Sequence, residues 1–157
     1  MSVRLASPDE AERLWVIRNQ AIRHGCKNSY DEKTLIAWTP EVMPEGHRRA
    51  IANNPFFVID DPQSGSPVAT GFLDLTQGSV EAIFTLPEFT GKGLATLILQ
   101  AIKSEAKRRN FTLLTLSATP NACDFYKKHG FTLIKESLHY SKMAGASLRC
   151  MEMSCLL

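Results

Sequence analysis

At 157 residues the chain is the size of one domain able to bury roughly 70% of its unfolded surface, and its 44% hydrophobic and 22% charged residues sit near the average for soluble globular proteins, which excludes disordered and fibrous classes. Eighteen basic against sixteen acidic side chains leave a formal charge of +2, too little to argue for a nucleic-acid or membrane surface. The densest basic cluster, at residues 107–109, falls where a helix should end, and cations there complement the helix dipole.

The N-terminal "SVRLA" reads as a short strand. In the following "SPDE", Ser7 is an N-cap, Pro8 takes the first helical position and Glu10 closes a capping box, so a helix runs from there to about Ile22. "HGCKNS" breaks the pattern, and Ser29, with Glu32 three residues on, caps a second helix through "SYDEKTLIAW". Pro40 and Pro44 interrupt again before a third helical piece, "EGHRRAIAN", ending near Asn53. From residue 55 the apolar period becomes strand-like in "PFFVID", "SPVATGFLDL" and "SVEAIFTL", joined by the turn formers of "DPQSGS" and "TQGS", which gives an antiparallel meander.

A helix follows with Leu94, Leu97, Ile98, Ala101, Ile102 and Ala106 on one face, then the strand "FTLLTLSA". Strand, crossover helix and strand in that order make a right-handed unit with parallel strands, so the sheet is mixed. "NACDFYKKHG" is a short helix stopped by Gly130, "FTLIKESLHY" a strand, and "LRCMEMSCLL" a last strand reached through "SKMAGAS". With no repeat, low-complexity tract or linker, a single domain is expected over residues 1–157.

Cys26, Cys123, Cys150 and Cys155 form no C-x-x-C pair and no Cys/His spacing of the zinc type, so free thiols and no metal site are expected. The N-terminus lacks a basic region followed by an apolar stretch, and no window approaches 18 apolar residues. A cytoplasmic location without a membrane segment is the resulting expectation.

The stretch "TLPEFTGKGLATLIL", residues 85–99, places Gly91 and Gly93 at a strand-to-helix junction. A helix entered through glycines exposes its first N–H groups, and the positive end of the dipole adds to them, which makes an anion site suited to a pyrophosphate. It is not a Walker A loop, because Lys92 precedes Gly93 rather than Ser or Thr. It is not a Rossmann fingerprint, because the third glycine is absent and the preceding strands read as antiparallel.

"LPEFTGKGLAT" resembles the acyl-CoA pyrophosphate motif of the GCN5-related N-acetyltransferases (GNAT), Arg/Gln-x-x-Gly-x-Gly/Ala, and "NACDFYKKHGF" is similar to their later Asn-Ala-x-x-Phe-Tyr-x-x-x-Gly-Phe motif. The resemblance covers essentially the whole chain. It implies an α+β GNAT fold, a mixed, mostly antiparallel sheet of about six to seven strands flanked by about four helices.

The resemblance also implies that the N–H groups of Gly91, Lys92, Gly93, Leu94, Ala95 and Thr96 surround the pyrophosphate of acetyl-CoA as co-substrate. Ile83, Phe84 and Thr85 would pair with the pantetheine arm as another strand would, and Asn121 would contact that arm from the other side. Tyr126 would direct its hydroxyl at the sulfur, and a backbone N–H near Phe84 or Thr85 would face the thioester oxygen. Glu81 on the same strand is the candidate base, with a water chain as the alternative. The family's leading Arg or Gln is here Thr90, which cannot bring charge to a pyrophosphate.

The acceptor side is expected from the N-terminal helices and the loop between the last two strands. His24, Tyr30 and Trp38 resemble positions of a subset of the family carrying a His-x-x-x-x-x-Tyr and Ala-Trp pattern; Trp38 either lines an acceptor pocket or anchors its helix in the core. Transfer of acetyl from acetyl-CoA to the primary amine of a small molecule, protein or peptide is the implied function, with no nucleic-acid partner expected and a homodimer allowed. The alternative is a module that holds acyl-CoA as a sensor without turnover.

Overall fold

The computed structural model describes all residues from Met1 to Leu157. Strand β1 (Val3–Leu5) leads through a 3-10 turn at Pro8–Glu10 into α1 (Ala11–Gly25). The Glu10 carboxylate accepts from the Ser7 N–H at 3.0 Å, as the capping box requires, but the α-helix proper begins at Ala11 and runs beyond Ile22 to Gly25. Helix α2 (Glu32–Trp38) is capped by Asp31, not Ser29: the Asp31 side chain accepts from the Thr34 N–H at 2.7 Å. Ser29 and Tyr30 are held back by their N–H bonds to the Cys26 carbonyl, so the turn trailing α1 uses Ser29 before a new helix can start there. Helix α3 (Glu45–Asn53) follows Pro44.

The meander is β2 (Phe56–Asp60), β3 (Pro67–Asp74) and β4 (Ser79–Thr85); then come α4 (Leu94–Arg108), β5 (Leu113–Ala118), α5 (Cys123–Lys128), β6 (Thr132–Ser141) and β7 (Ala146–Leu156). All seven strands join one sheet in the order β1-β2-β3-β4-β5-β7-β6, antiparallel at every pairing except β4 with β5. The mixed, mostly antiparallel sheet with five helices agrees with the expectation from sequence. The last strand begins at Ala146 rather than Leu148, because the β6–β7 hairpin pairs out to Ser141 opposite Ala146.

Helices cover both faces. On α4, Leu94, Ile98, Ile102 and Ala106 are buried, and each fully buried Leu or Ile contributes about 1.5–3 kcal/mol. Gly71 in β3 lets α4 approach: a Cβ there would stand 2.6 Å from Ile98 Cγ2 and 2.8 Å from Ile83 Cγ1. Its neighbours Thr70 and Phe72 point to the opposite face, the one covered by α1. All four cysteines are buried and unbridged, and no helix is long and apolar enough to cross a membrane.

Candidate active site

A 3-10 turn at Pro87–Phe89 separates β4 from α4, and Gly91 and Gly93 then both adopt φ of +78°, a left-handed conformation costly for any side chain with a Cβ. The first intrahelical bond of α4 is Leu97 N–H to the Gly93 carbonyl, at 3.2 Å. None of the six backbone N–H groups of residues 91–96 has an acceptor in the chain. Their side chains stay clear: Lys92 Nζ lies 5.2 Å from the Phe89 ring centroid, and Thr96 Oγ1 is 3.2 Å from His129 Nε2, tying α4 to the end of α5. Thr90 is exposed and bonds its own turn, Oγ1 to the Pro87 carbonyl at 2.9 Å.

Beside this turn the sheet opens. Strands β4 and β5 pair at a single position, Ser79 opposite Thr115, whereas β5 pairs with β7 along its whole length. The Leu86 N–H bonds the Val68 carbonyl at 2.9 Å, so ladder alternation turns the backbone groups of Phe84 toward β3 and those of Ile83 and Thr85 toward the unpaired side. A bulge shifts the β3–β4 register between Thr70/Phe84 and Phe72/Glu81, and Ala82 within it has φ of +56°. Glu81 and Phe84, the partners of Phe72 and Thr70, thereby face α1, while Ile83 faces α4.

Tyr126 and Glu81 lie close enough for the Glu81 charge to act on the phenol. The Tyr126 residue is only 8% exposed, packed edge-on to Phe125 and Phe131 at 5.1 and 5.6 Å between centroids. Its hydroxyl has no partner in the chain, yet is not among the fully buried unsatisfied atoms, so it retains a path to solvent. Burial, and next the Glu81 charge, push its pKa far above the ordinary phenol value. Burial also raises the Glu81 carboxyl, an effect increased by Asp74 and opposed by the Ser79 hydroxyl, which donates to it at 2.9 Å. Asn121, at the start of α5, is exposed; its Oδ1 lies 3.4 Å from Ser29 Oγ and 3.5 Å from Cys26 Sγ.

The model of the GNAT acetyltransferase domain matches residues 26–155. The chain belongs to the GNAT acetyltransferase family. It is 24% identical over 137 residues to the uncharacterised N-acetyltransferase YafP of Escherichia coli (strain K12), covering 87% of this chain and 84% of that protein. Its fold superposes on a GCN5-related N-acetyltransferase from Rhodopseudomonas palustris with a TM-score of 0.89, at 21% identity over 99% of this chain and 95% of the other. It also superposes on yncA from Salmonella typhimurium, solved with its cofactor acetyl-CoA, with a TM-score of 0.71 at 18% identity over 99% and 93% of the two chains. At these identities the structural matches establish the GNAT fold.

On the α1 face of this GNAT sheet, Tyr30 and Trp38 come together edge-on at 5.7 Å and pack with Phe84 against Ile22, Cys26 and Leu35. The Tyr30 hydroxyl donates to the Arg149 carbonyl at 2.6 Å, a strut from the α1–α2 turn to β7, and burial pushes its pKa up to about 12. His24 is separate: it projects into solvent from the last turn of α1 and makes no hydrogen bond.

Residues mostly not singled out in the sequence build a cavity of about 190 Å³ on the same face, walled by Leu14, Trp15, Phe56 and Phe72 together with Phe84 and reaching the bulge at Ala82. Three polar side chains also line it: Arg18, His47 and Thr70. Arg18 lies over the Trp15 ring, 4.3 Å from its centroid, and donates through Nη1 to Asn19 Oδ1 and the Trp38 carbonyl. Its Nη2 lies 3.8 Å from Met143 Sδ in the β6–β7 hairpin, so the hairpin reaches the α1 face. Burial lowers the Arg18 pKa to about 10, which leaves it charged at neutral pH. A signal was present in the sequence: Arg18 stands on the buried stripe of Leu14, Trp15 and Ile22, where a charge is rare without a purpose.

Proposed function

We propose that this protein is an N-acetyltransferase moving the acetyl group of acetyl-CoA directly to a primary amine. The observation that carries the reading is the run of six N–H donors at residues 91–96 without an acceptor, beside the unpaired edge of β4. The pyrophosphate takes those donors. The amides of the pantetheine arm pair with Ile83 and Thr85 in place of a neighbouring strand, and Asn121 meets the arm from the α5 side. The acetyl-CoA bound to the yncA structure of the same fold supports this donor.

For the chemistry, the amine nitrogen bonds the thioester carbon and the C–S bond breaks. An N–H of the β4 edge at Ile83 or Thr85 stabilises the oxyanion. Tyr126, held neutral by burial, supplies a proton to the departing thiolate; Glu81 takes the proton that the new C–N bond releases and returns it to Tyr126, so protons balance.

Calorimetric titration with acetyl-CoA and thiol release over a panel of amines test the reading. Tyr126→Phe is expected to lower kcat by about 10²–10⁴-fold while acetyl-CoA affinity stays within about threefold. Absence of acetyl-CoA binding overturns the proposal, and binding without thiol release on any amine would favour a sensor.

A further inference from the structure

The cavity on the α1 face carries polar groups that the protein itself leaves unmatched. Thr70 Oγ1 and His47 Nε2 are buried side-chain atoms without a hydrogen-bond partner, and none of the chain's ion pairs involves Arg18. Buried polar groups are normally satisfied, so two unmatched atoms and a cation without an anionic partner lining one apolar cavity point to a ligand with complementary groups. The cavity also adjoins the bulge of β4, where Ala82 lines it and Glu81 is the next residue.

We propose that the acceptor is a small amine bearing a carboxylate, seated in this cavity with its carboxylate on Arg18 and its amine at the β4 bulge beside Glu81. The inference rests on the acetyltransferase reading given above. A guanidinium presents a planar fork matched to a carboxylate, and one unpaired cation balances one negative charge. His47 adds a hydrogen bond and no second charge, because burial holds its pKa below the ordinary histidine value. The ring walls of Trp15, Phe56, Phe72 and Phe84 accept an apolar body. A volume of about 190 Å³ is roughly that of six waters, room for an amino-acid-sized molecule. A polyamine would place a second cation against Arg18, and a lysine or N-terminus within a polypeptide is flanked by neutral amides instead of a carboxylate.

The test uses the full chain with saturating acetyl-CoA and paired acceptors: aliphatic and aromatic amino carboxylates, their methyl esters, their decarboxylated amines and a lysine-containing peptide. The wild type is expected to favour each acid over its ester by at least tenfold in kcat/KM. Arg18→Gln is expected to bring that ratio near one through a rise in KM for the acids, with Arg18→Lys intermediate. Esters, decarboxylated amines or the peptide performing as well as the acids overturn the inference, as does an Arg18→Gln variant that keeps the wild-type ratio. The wild-type comparison stands even if a variant fails to fold. Loss of acetyl-CoA binding to the wild type would sink the donor reading; retained binding without discrimination, or without any acid being acetylated, sinks only the acceptor assignment.

Discussion

Substituting Gly93 by Ala separates the two demands made on the glycine turn. Gly93 has φ of +78°, and a Cβ built on it meets no protein atom within 4 Å, so the free protein feels the change only through its backbone. A left-handed alanine costs about 1–2 kcal/mol. At about 2–4 °C per kcal/mol for a chain of this size, the melting temperature should fall by about 2–8 °C. The bound anion is affected differently, because the methyl group stands among the six free N–H donors. Loss of one charge-assisted hydrogen bond, about 1.5–3 kcal/mol, weakens acetyl-CoA by about 10- to 150-fold. Gly65 supplies the control: its φ is +72°, its Cβ also meets nothing, and it lies in the β2–β3 turn. Calorimetry and thermal melts on both variants should show similar losses of stability with affinity lost only in Gly93→Ala. An acetyl-CoA Kd within twofold of wild type for Gly93→Ala would refute the assignment of the turn as the pyrophosphate site.

Burial raises the folded pKa of Glu81 above its ordinary value, so between those two pH values the folded state holds more protons than the unfolded, and stability falls as pH rises through that window. Glu81→Gln should therefore raise the melting temperature at pH 7 by a few degrees and flatten its dependence between pH 4 and 8, while lowering kcat about 10²-fold and removing the acidic limb of kcat/KM; unchanged pH profiles in both would count against a buried base. Thr90→Arg adds a cation one residue before the glycine turn and should tighten acetyl-CoA about two- to fivefold at low ionic strength, with the gain erased near 0.5 M salt; no gain at low salt would place the pyrophosphate elsewhere. Gly71→Ala forces a Cβ to within 2.6 Å of Ile98 and should cost about 1–3 kcal/mol, read as a lower denaturation midpoint in urea.

What the sequence revealed and what it hid follow from the range over which each signal acts. The helical face of Leu94, Ile98, Ile102 and Ala106 and the turn formers between strands are local, and the structure reproduces them. The cap of α2 was misplaced by two residues because Ser29 and Asp31 both suit the role, and only the bonds from Ser29 and Tyr30 to the Cys26 carbonyl decide between them. The glycine turn was legible because its residue types are imposed by positive φ. The α1-face cavity was not, because Arg18, His47 and Thr70 come from α1, α3 and β3 and acquire a common meaning only when the sheet and helices have packed. Positions assigned by resemblance fared unevenly in geometric terms: Tyr30 and Trp38 adjoin Phe84, whereas His24 points away into solvent.

The bulge at Ala82 explains how one strand serves two faces. In a regular ladder Glu81 and Ile83 would share a face, and so would Ala82 and Phe84. The extra residue instead leaves Ile83 packed against α4, beneath the glycine turn, and places Glu81 and Phe84 together toward α1. Strand β4 leaves β5 after Ser79, before the bulge, and beyond it Ile83 and Thr85 keep free backbone groups in the plane of the sheet. A donor that docks along that edge and an acceptor in the α1-face cavity would then meet at the bulge, with Glu81 on the acceptor side and Tyr126 close enough to feel its charge. Removing Ala82 would restore a regular register in which Glu81 and Phe84 still share the α1 face, opposite Phe72 and Thr70, but the bend and added twist that the bulge gives to β4 would be lost. That deletion should abolish thiol release while the six N–H donors of residues 91–96 still bind CoA, and retention of turnover would show that the bulge does not align the two substrates.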